Sequence, residues 1–193
     1  TNLDYFTTRK LMTNQPIKFI ANKHKIPLRL VKKKNTICKP KILVAMSGGV
    51  DSSITAFLLL KQRYAVEGVH FRLVQKDAGL EKSRVIAKFL KIPYQVIDLR
   101  KEFKQKVIKP FLDQYRLNLT PNPCVICNPE IKFGILYQLS AKDDFDYFAT
   151  GHYARVKKGI AGIKLLKGLD DTKDQSYFLW GLSQKILKKT IFP

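Results

Sequence analysis

The sequence has no long hydrophobic run, because charged residues interrupt each apolar stretch before the roughly 18 residues of a membrane-spanning helix. We therefore expect a soluble protein that does not span a membrane. Cysteine is also scarce, since the 193 residues contain only Cys38, Cys124 and Cys127. Three unevenly spaced cysteines do not make the disulfide framework of a small secreted protein. A reducing compartment is expected, and we predict a cytoplasmic protein.

Acidic residues are few, with 15 Asp and Glu against 36 Lys and Arg, which gives a formal net charge of +21. Such a charge favours a polyanionic partner, and nucleic acid is the first candidate. The basic residues are 28 Lys and 8 Arg, a bias that an AT-rich coding sequence would also produce. We interpret the charge as that of a nucleic-acid-binding protein rather than as solvation alone.

The first part of the chain is especially basic, since residues 1–40 contain ten Lys and Arg and a single acid, Asp4. We predict a basic extension over residues 1–40, either poorly ordered or an arm that contacts nucleic acid. One main domain is predicted over residues 41–193, and we expect it to be truncated at its C-terminal end. An acid-poor start also fits an organellar transit peptide, although the lack of serine argues against one. An organellar location is thus the alternative.

From Lys41 onward, predicted strands and helices alternate. The apolar run 41–46 suits a strand buried on both faces, and apolar residues then recur at helical spacing. Strands are predicted at 41–46, 65–74, 93–99 and 145–151, and helices at 51–63, 79–92 and 101–115, the last interrupted by Pro110. The alternation indicates right-handed crossovers between parallel strands, so the predicted fold is α/β with a doubly wound parallel sheet. A β-hairpin over 154–169 and a helical segment over 171–189 follow.

The loop between the first strand and the first helix reads Ser-Gly-Gly-Val-Asp-Ser-Ser at residues 47–53. Small residues let the backbone approach a ligand closely, and the N–H groups at a helix start attract an anion. The spacing fits neither a Walker A loop nor the Gly-x-Gly-x-x-Gly fingerprint. A tight turn with Asp51 and Ser52 as helix N-caps is the alternative, which accounts for part of the pattern only. The loop predicts a site for a phosphate-bearing ligand.

This loop resembles the Ser-Gly-Gly-x-Asp-Ser-Ser signature of the PP-loop ATP pyrophosphatases. The resemblance implies that the loop grips the pyrophosphate half of ATP, accompanied by Mg²⁺, and that ATP is cleaved to AMP and pyrophosphate. The superfamily includes GMP synthetase, NAD synthetase, argininosuccinate synthetase and several tRNA-modifying enzymes. The loop alone does not choose among them.

Cys124 and Cys127 are three residues apart and are flanked by Asn-Pro pairs. Cys-x-x-Cys occurs in half zinc sites, redox pairs, iron–sulfur sites and thiolates of lowered pKa near a helix start. A zinc ion would need two more ligands, and the candidates form no second matched pair: Cys38, His24, His70 and His152. We predict no metal site. The flanking Asn and Pro argue against two inert buried thiols.

Two further motifs follow, Ala-Thr-Gly-His-Tyr-Ala-Arg at residues 149–155 and Lys-Asp-Gln-Ser-Tyr-Phe-Leu at residues 173–179. Together with the loop at 47–53 and the Thr-Pro-Asn-Pro-x-x-x-Cys-Asn-x-x-Ile-Lys-Phe motif at 120–133, they resemble the tRNA-specific 2-thiouridylase family in order and spacing. The resemblance covers residues 41–193. It implies conversion of the wobble uridine of tRNA to 2-thiouridine, through ATP-dependent adenylation of the uracil O2 and transfer of a persulfide sulfur. The implied partners are tRNA and a persulfide sulfur-donor protein.

The resemblance also implies roles for individual residues. The ATP-binding set is Ala45, Met46, Ser47, Gly48, Gly49, Val50, Asp51, Ser52, Phe71 and Gly151. Phe71 would contact adenine at a position where family members often have Met. The tRNA-binding set is Asn122, Pro123, Cys124, His152, Lys173, Asp174 and Gln175. Cys127 matches the nucleophilic cysteine, and Cys124 is the second catalytic candidate.

The chain departs from the family at Cys124, where many members have Asp, and no cysteine follows Cys127. Either the second catalytic cysteine lies beyond Pro193, or Cys124 and Cys127 form a local relay. An iron–sulfur cluster, with Cys38 as a third thiolate, is a less favoured alternative. A different PP-loop tRNA sulfurtransferase, or a module that binds ATP and tRNA without turnover, also remains open.

Overall fold

The computed structural model describes residues 31–33 and 36–193. Residues 1–30, 34 and 35 lie outside the described residues, and with them most of the predicted basic extension and the zinc candidate His24. The described part of that extension forms an antiparallel pair of short strands, β1 (Val31–Lys33) and β2 (Thr36–Cys38). The predicted contact of the extension with nucleic acid stays a prediction.

The main domain is built on a five-stranded sheet in which every pairing is parallel. The strands of the domain are β3 (Lys41–Ala45), β4 (Ala65–Arg72), β5 (Tyr94–Asp98), β6 (Tyr147–Ala149), β7 (Ala154–Gly159), β8 (Gly162–Lys167) and β9 (Thr190–Ile191). The sheet order is β5-β4-β3-β6-β9, and β7 and β8 form a separate antiparallel hairpin. The order reverses between β3 and β6, which confirms the predicted doubly wound α/β fold. Ligand sites in such folds lie at this reversal.

Helices connect the strands and cover both faces of the sheet. They are α1 (Val50–Lys61), α2 (Ala78–Leu90), α3 (Arg100–Phe103), α4 (Lys109–Arg116), α5 (Pro123–Cys127), α6 (Phe133–Lys142) and α7 (Gln184–Lys189). One turn of π-helix, Lys104–Ile108, joins α3 to α4, and another, Asn128–Lys132, joins α5 to α6. In the described part of the chain, no helix has the length and apolar content needed to cross a bilayer.

Successive side chains of β3 point to opposite faces of the sheet, and both faces are covered, which explains why the sequence of β3 is apolar throughout. Ile42 and Val44 pack with residues of α1 and α2 in one core cluster, whereas Leu43 packs with residues of α6 in another. All three side chains are fully buried. A strand covered on both faces has apolar side chains at successive positions, so the prediction for this segment is confirmed.

The helix predicted over 101–115 does not break at Pro110. Proline lacks an N–H group and would crowd the carbonyl four residues earlier in a regular α-helix. The wider π turn at 104–108 precedes it, and Pro110 then occupies the first turn of α4. The helix therefore continues through the proline.

The segment after the β7–β8 hairpin is less helical than predicted. Residues 171–189 contain a 3₁₀ turn, Ser176–Leu179, and the short helix α7. The chain then enters β9, which has only two residues and gave no recognisable strand pattern.

Candidate active site

A cleft of about 470 Å³ opens beside the carboxyl ends of β3, β4 and β6. Its position follows from the sheet order, because the loops after these strands meet at the topological reversal. Many of the residues predicted to bind ATP or tRNA line it: Ala45, Met46, Ser47, Asp51, Ser52, Phe71, Gly151, His152 and Gln175. Gly48, Gly49 and Val50 belong to the same loop. The structure thus brings most of the predicted ATP set together, and the binding roles stay predictions.

Serine side chains hold the loop between β3 and α1 in shape. The Ser52 hydroxyl donates to the Gly49 carbonyl at 3.0 Å and accepts from the Ser47 amide at 3.2 Å. The Ser53 hydroxyl donates to the same Gly49 carbonyl at 2.7 Å. These hydrogen bonds fold the loop back over the start of α1, so the serines order the backbone that faces the cleft.

The N-terminus of α1 has a glycine as its N-cap, Gly49, which offers no side chain to the amides of the first turn. The alternative prediction, in which Asp51 or Ser52 caps the helix, is wrong. The first-turn N–H groups and the helix dipole leave a positive end at the cleft, which is suited to a phosphate. Asp51 instead accepts a hydrogen bond from the Tyr153 hydroxyl at 3.0 Å.

Close backbone approaches require glycine at two points of the site. Gly48 has φ of +82°, and a Cβ there would lie 2.5 Å from the carbonyl oxygen of Gly79. A Cβ at Gly151 would lie 2.7 Å from the Asp51 carbonyl carbon and 2.8 Å from the Ser52 nitrogen. Real Cβ atoms do not occupy such positions, so larger residues would displace the loop or the start of α1.

A buried histidine ties the loop to the next crossover. His70, on β4, is 3% exposed, and its Nδ1 lies 2.8 Å from the Met46 carbonyl oxygen. Its Nε2 lies 2.9 Å from the Asp77 carboxylate, which also caps α2 through the Gly79 and Leu80 amides. Burial alone would raise the pKa of Asp77, but the hydrogen bond and attraction from His70, with both amides, lower the pKa below its usual value. With both ring nitrogens engaged, His70 serves as a positioning residue.

The motif at 149–155 and Gln175 also line the cleft. The Tyr153 amide donates to the Gln175 side-chain oxygen at 3.0 Å, and the Gln175 amide donates to the Tyr153 carbonyl at 2.9 Å. The Asp174 carboxylate accepts from the Gly168 amide at 2.8 Å and from the Ser176 amide at 3.1 Å. Asp174 therefore shapes the loop that presents Gln175.

His152 is a partly buried, neutral group at the cleft. Its Nδ1 lies 2.8 Å from the Thr150 hydroxyl, and its ring packs 5.5 Å from that of Phe133. Burial, with a smaller contribution from the Lys132 ammonium, lowers the pKa of His152 to about 4. Near pH 7 the imidazole is uncharged, so it offers a hydrogen bond and not an ion pair to a ligand.

The two cysteines of α5 lie in different surroundings. Cys124 is exposed, and its amide is capped by the Asn122 side chain at 3.2 Å. Cys127 is 7% exposed and packs with Leu99, Val107 and Ile131. Burial raises the pKa of the Cys127 thiol, the Lys132 ammonium acts in the opposite direction, and Cys124 adds to the rise. Among the described side chains, no three His, Cys, Asp or Glu residues are grouped as metal ligands.

Some residues of the predicted tRNA set lie outside the cleft lining: Asn122, Pro123, Cys124, Lys173 and Asp174. Cys127 lies outside it as well. The 3₁₀ turn at 176–179 contacts α5, however, and the Asn128 side-chain amide donates to the Phe178 carbonyl at 3.0 Å. The helix α5, with its two cysteines, and the segment that follows Gln175 are therefore neighbours. Their contact with tRNA stays a prediction.

The sequence patterns missed several residues that line the cleft: Val69, His70, Leu73, Val74, Asp77, Phe103, Lys132 and Thr150. Lys132 belongs to the motif at 120–133, but only the fold shows that its charge acts on the pKa of both His152 and Cys127. In the sequence His70 is a candidate zinc ligand, whereas the structure shows it as a support of the loop. Asp77 could have been found from its place after the second strand, since such loops border the ligand.

Comparison with known proteins gives the family. The model described as "tRNA methyl transferase HUP domain" matches residues 40–193. The tRNA-specific 2-thiouridylase MnmA of Desulfotalea psychrophila is 49% identical over 152 residues, covering 78% of this chain and 44% of the relative. The tRNA-specific 2-thiouridylase MnmA of Helicobacter hepaticus is 46% identical over 158 residues, covering 79% of this chain and 46% of the relative. The chain thus spans about half the length of these curated relatives.

Among solved structures, a predicted subunit of tRNA methyltransferase from Methanocaldococcus jannaschii is similar, with 18% identity and a TM-score of 0.48. The match covers 80% of this chain and 67% of that chain. The family resemblance predicted from the four motifs is confirmed by the named relatives and by the family model. From Pro40 to its last residue, this chain belongs to the tRNA methyl transferase HUP domain family.

Proposed function

We propose that this chain catalyses, or contributes the nucleotide-binding part of, the ATP-dependent conversion of the wobble uridine of tRNA to 2-thiouridine. One observation carries the proposal: the glycine-capped helix start, the 149–155 motif and Gln175 line one cleft. This cleft lies in a chain that is 49% identical, over 152 residues, to a relative named as a tRNA-specific 2-thiouridylase. A loop suited to phosphate and a segment predicted to contact tRNA, at one cleft, suit a reaction that joins a nucleotide to tRNA.

ATP fits the chemistry of the cleft. The first-turn amides of α1 would hold its phosphates, and the tight approach at Gly48 leaves no room for a competing side chain. Phe71, half-buried at the end of β4, offers a ring face to adenine. Bound ATP would supply an adenylyl group that converts the uracil O2 into a good leaving group, and Mg²⁺ would accompany its phosphates.

The helix α5, which carries Cys124 and Cys127, would deliver the sulfur. In the proposed step, a persulfide formed on Cys127 by a sulfur-donor protein attacks C2 of the adenylated uracil, and AMP departs with the O2 oxygen. A second thiol then attacks the cysteine sulfur, forming a protein disulfide and releasing 2-thiouridine. The pKa of the Cys127 thiol is raised by burial, and the Lys132 ammonium opposes that rise, so Lys132 would favour the ionised sulfur. Cys124 is the candidate for the second thiol within this chain.

The test measures 2-thiouridine directly. The protein is incubated with ATP, Mg²⁺, a persulfide donor and unmodified tRNA, and the digested nucleosides are quantified by mass spectrometry. We expect product in the wild type and none in Cys127→Ser, whereas Cys124→Ser separates a local relay from a thiol supplied elsewhere. Absence of product from a wild-type protein that binds ATP and tRNA would overturn the proposal of turnover.

A second candidate function is binding of ATP and tRNA without sulfur transfer. It is favoured by the burial of Cys127, which is 7% exposed and has a raised thiol pKa. Pyrophosphate release separates the two functions, because adenylation requires tRNA and liberates pyrophosphate only when both substrates are present. If another PP-loop tRNA sulfurtransferase activity is present, the modified nucleoside will differ from 2-thiouridine.

A further inference from the structure

Two exposed aromatic side chains follow the cleft residue Gln175. Ser176–Leu179 form one turn of 3₁₀ helix, and Trp180 continues it with φ of −59° and ψ of −29°. Tyr177 is 65% exposed and Trp180 is 70% exposed. Large aromatic side chains at this level of exposure are candidates for a binding surface.

The geometry of the turn places these two residues on the same side of it. A 3₁₀ helix has three residues per turn, so residues i and i+3 lie one above the other, about 6 Å apart along the axis. Tyr177 and Trp180 have this spacing. Both side chains are exposed, and we call Tyr177 and Trp180 the aromatic pair. The Tyr177 ring also packs edge-on against the ring of Phe178, with 5.6 Å between their centroids.

The turn that carries this aromatic pair is firmly held. Leu179 is fully buried in the core cluster that includes Phe133 and Phe148. The Phe178 carbonyl accepts the Asn128 amide at 3.0 Å, and the Ser176 hydroxyl donates to the Asp174 carboxylate at 2.8 Å. A surface ordered before binding loses little conformational entropy when a ligand arrives.

The aromatic pair lies next to both parts of the proposed reaction. The residue before the turn, Gln175, lines the cleft, and the turn itself contacts α5, which carries Cys124 and Cys127. A ligand on the pair would thus be bound by a turn that adjoins both the nucleotide cleft and the helix that carries the cysteines. The nearby Lys173 is exposed, and the whole chain has a formal charge of +21.

Positive charge with exposed aromatic rings is the chemistry of single-stranded RNA recognition, in which unpaired bases stack on the rings. We propose that Tyr177 and Trp180 form a stacking platform for unpaired bases of the tRNA loop that flank the reacting uridine. This inference rests on the proposed function for the identity of the RNA. The platform itself recognises any RNA loop whose bases are unstacked.

Trp180 allows a direct test, because it is the single tryptophan of the chain. An unmodified anticodon stem-loop RNA is titrated into the protein while tryptophan emission is recorded. A base stacked on the indole quenches its emission, so we expect quenching by the stem-loop and much less by a fully paired RNA of equal length. A short oligouridine provides unpaired bases without any tRNA structure, and we expect it to quench as well.

Variants separate stacking from charge. We expect Tyr177→Leu and Trp180→Leu each to weaken stem-loop binding about 10-fold, measured by filter retention, whereas Trp180→Phe keeps affinity within about threefold. Phe89→Leu and Tyr115→Leu are the matched controls, since these side chains are 65% and 62% exposed on α2 and α4. The controls should bind as the wild type does.

The outcomes distinguish this inference from the proposed function. Unchanged emission and wild-type affinity in both Leu variants, with 2-thiouridine still formed, would overturn the platform and leave the function standing. Quenching by oligouridine without any 2-thiouridine supports the platform and counts against the function. Emission that responds to a purified protein partner but to no RNA would make the pair a protein interface and overturn the inference.

Discussion

The Tyr153 hydroxyl donates a hydrogen bond of 3.0 Å to the Asp51 carboxylate, although the two residues are 102 positions apart. This hydrogen bond joins the motif at 149–155 to the loop at 47–53. At the same place, the backbone of Gly151 approaches the backbone of Asp51 and Ser52 so closely that a Cβ on Gly151 would clash with it. Two motifs that are separate in sequence therefore form one wall of the cleft, and a change in either should alter the other.

The first prediction concerns that contact. Gly151→Ala would place a Cβ 2.7 Å from the Asp51 carbonyl carbon, so the start of α1 must move. We expect ATP affinity, measured by calorimetry, to fall at least about 10-fold, because a shift of the first-turn amides weakens phosphate binding. Gly181→Ala is the control, since its Cβ would meet only Pro129, at 3.6 Å. Equal affinities in the two variants would contradict the packing argument.

The second prediction concerns His70 as a support of the loop. His70→Phe keeps a ring but removes the hydrogen bonds to the Met46 carbonyl and the Asp77 carboxylate. We expect the free energy of unfolding in urea to fall by about 3 kcal/mol and ATP affinity to fall with it.

Tyr94→Phe is the matched control for His70→Phe. It removes one hydroxyl, 2.6 Å from Ser83, from the same hydrogen-bond network but leaves the hydrogen bond between His70 and the Met46 carbonyl in place. We expect it to cost about 1 kcal/mol of stability and to leave ATP affinity unchanged. If His70→Phe reduces stability but not ATP affinity, His70 stabilises the fold without positioning the loop.

The sequence was sufficient to predict four of the five strands of the sheet because local patterns and topology agree. The apolar run at 41–46 is covered on both faces, and the alternation of strands and helices requires parallel crossovers. The loop motif was equally recognisable, since Gly48 and Gly151 occupy positions where close backbone approach excludes other residues, and the ATP-binding roles of its residues stay predictions. Steric requirements of this kind leave a clear pattern in sequence.

The features that were missed depend on contacts between distant segments. The two residues of β9 become a strand only because β6 offers a free edge, which no local pattern reports. The π turn before Pro110 depends on how the helix accommodates the proline. The partnership of His70 with Met46 and Asp77 and the approach of Lys132 to His152 likewise arise from tertiary packing.

The third prediction is a pH dependence of stability from His152. Burial lowers its pKa in the folded protein to about 4, below the ordinary histidine value of 6.5. Between these values the unfolded chain binds a proton that the folded protein does not, so stability is lost as pH falls from about 6.5 toward 4. Relative to His152→Gln, the wild type should lose roughly 2–3 kcal/mol more between pH 7 and pH 4.5. Urea unfolding at both pH values measures the difference, and parallel losses would contradict it.

The fourth prediction concerns the reactivity of the two cysteines on α5. Cys124 is exposed, whereas Cys127 is 7% exposed and burial raises its thiol pKa. Thiolate is the reactive form, so in a Cys38→Ser background iodoacetamide should modify Cys124 at least about 10-fold faster than Cys127 at pH 7.5. Peptide mass spectrometry over a time course gives both rates, and unfolding in urea should make them equal.

If Cys127 reacts as fast as Cys124 in the folded protein, then α5 opens readily. The nucleophile would in that case need no partner to expose it. If the difference holds, then tRNA or the sulfur donor must uncover Cys127 before sulfur transfer, and adding the partner that does so should speed its alkylation.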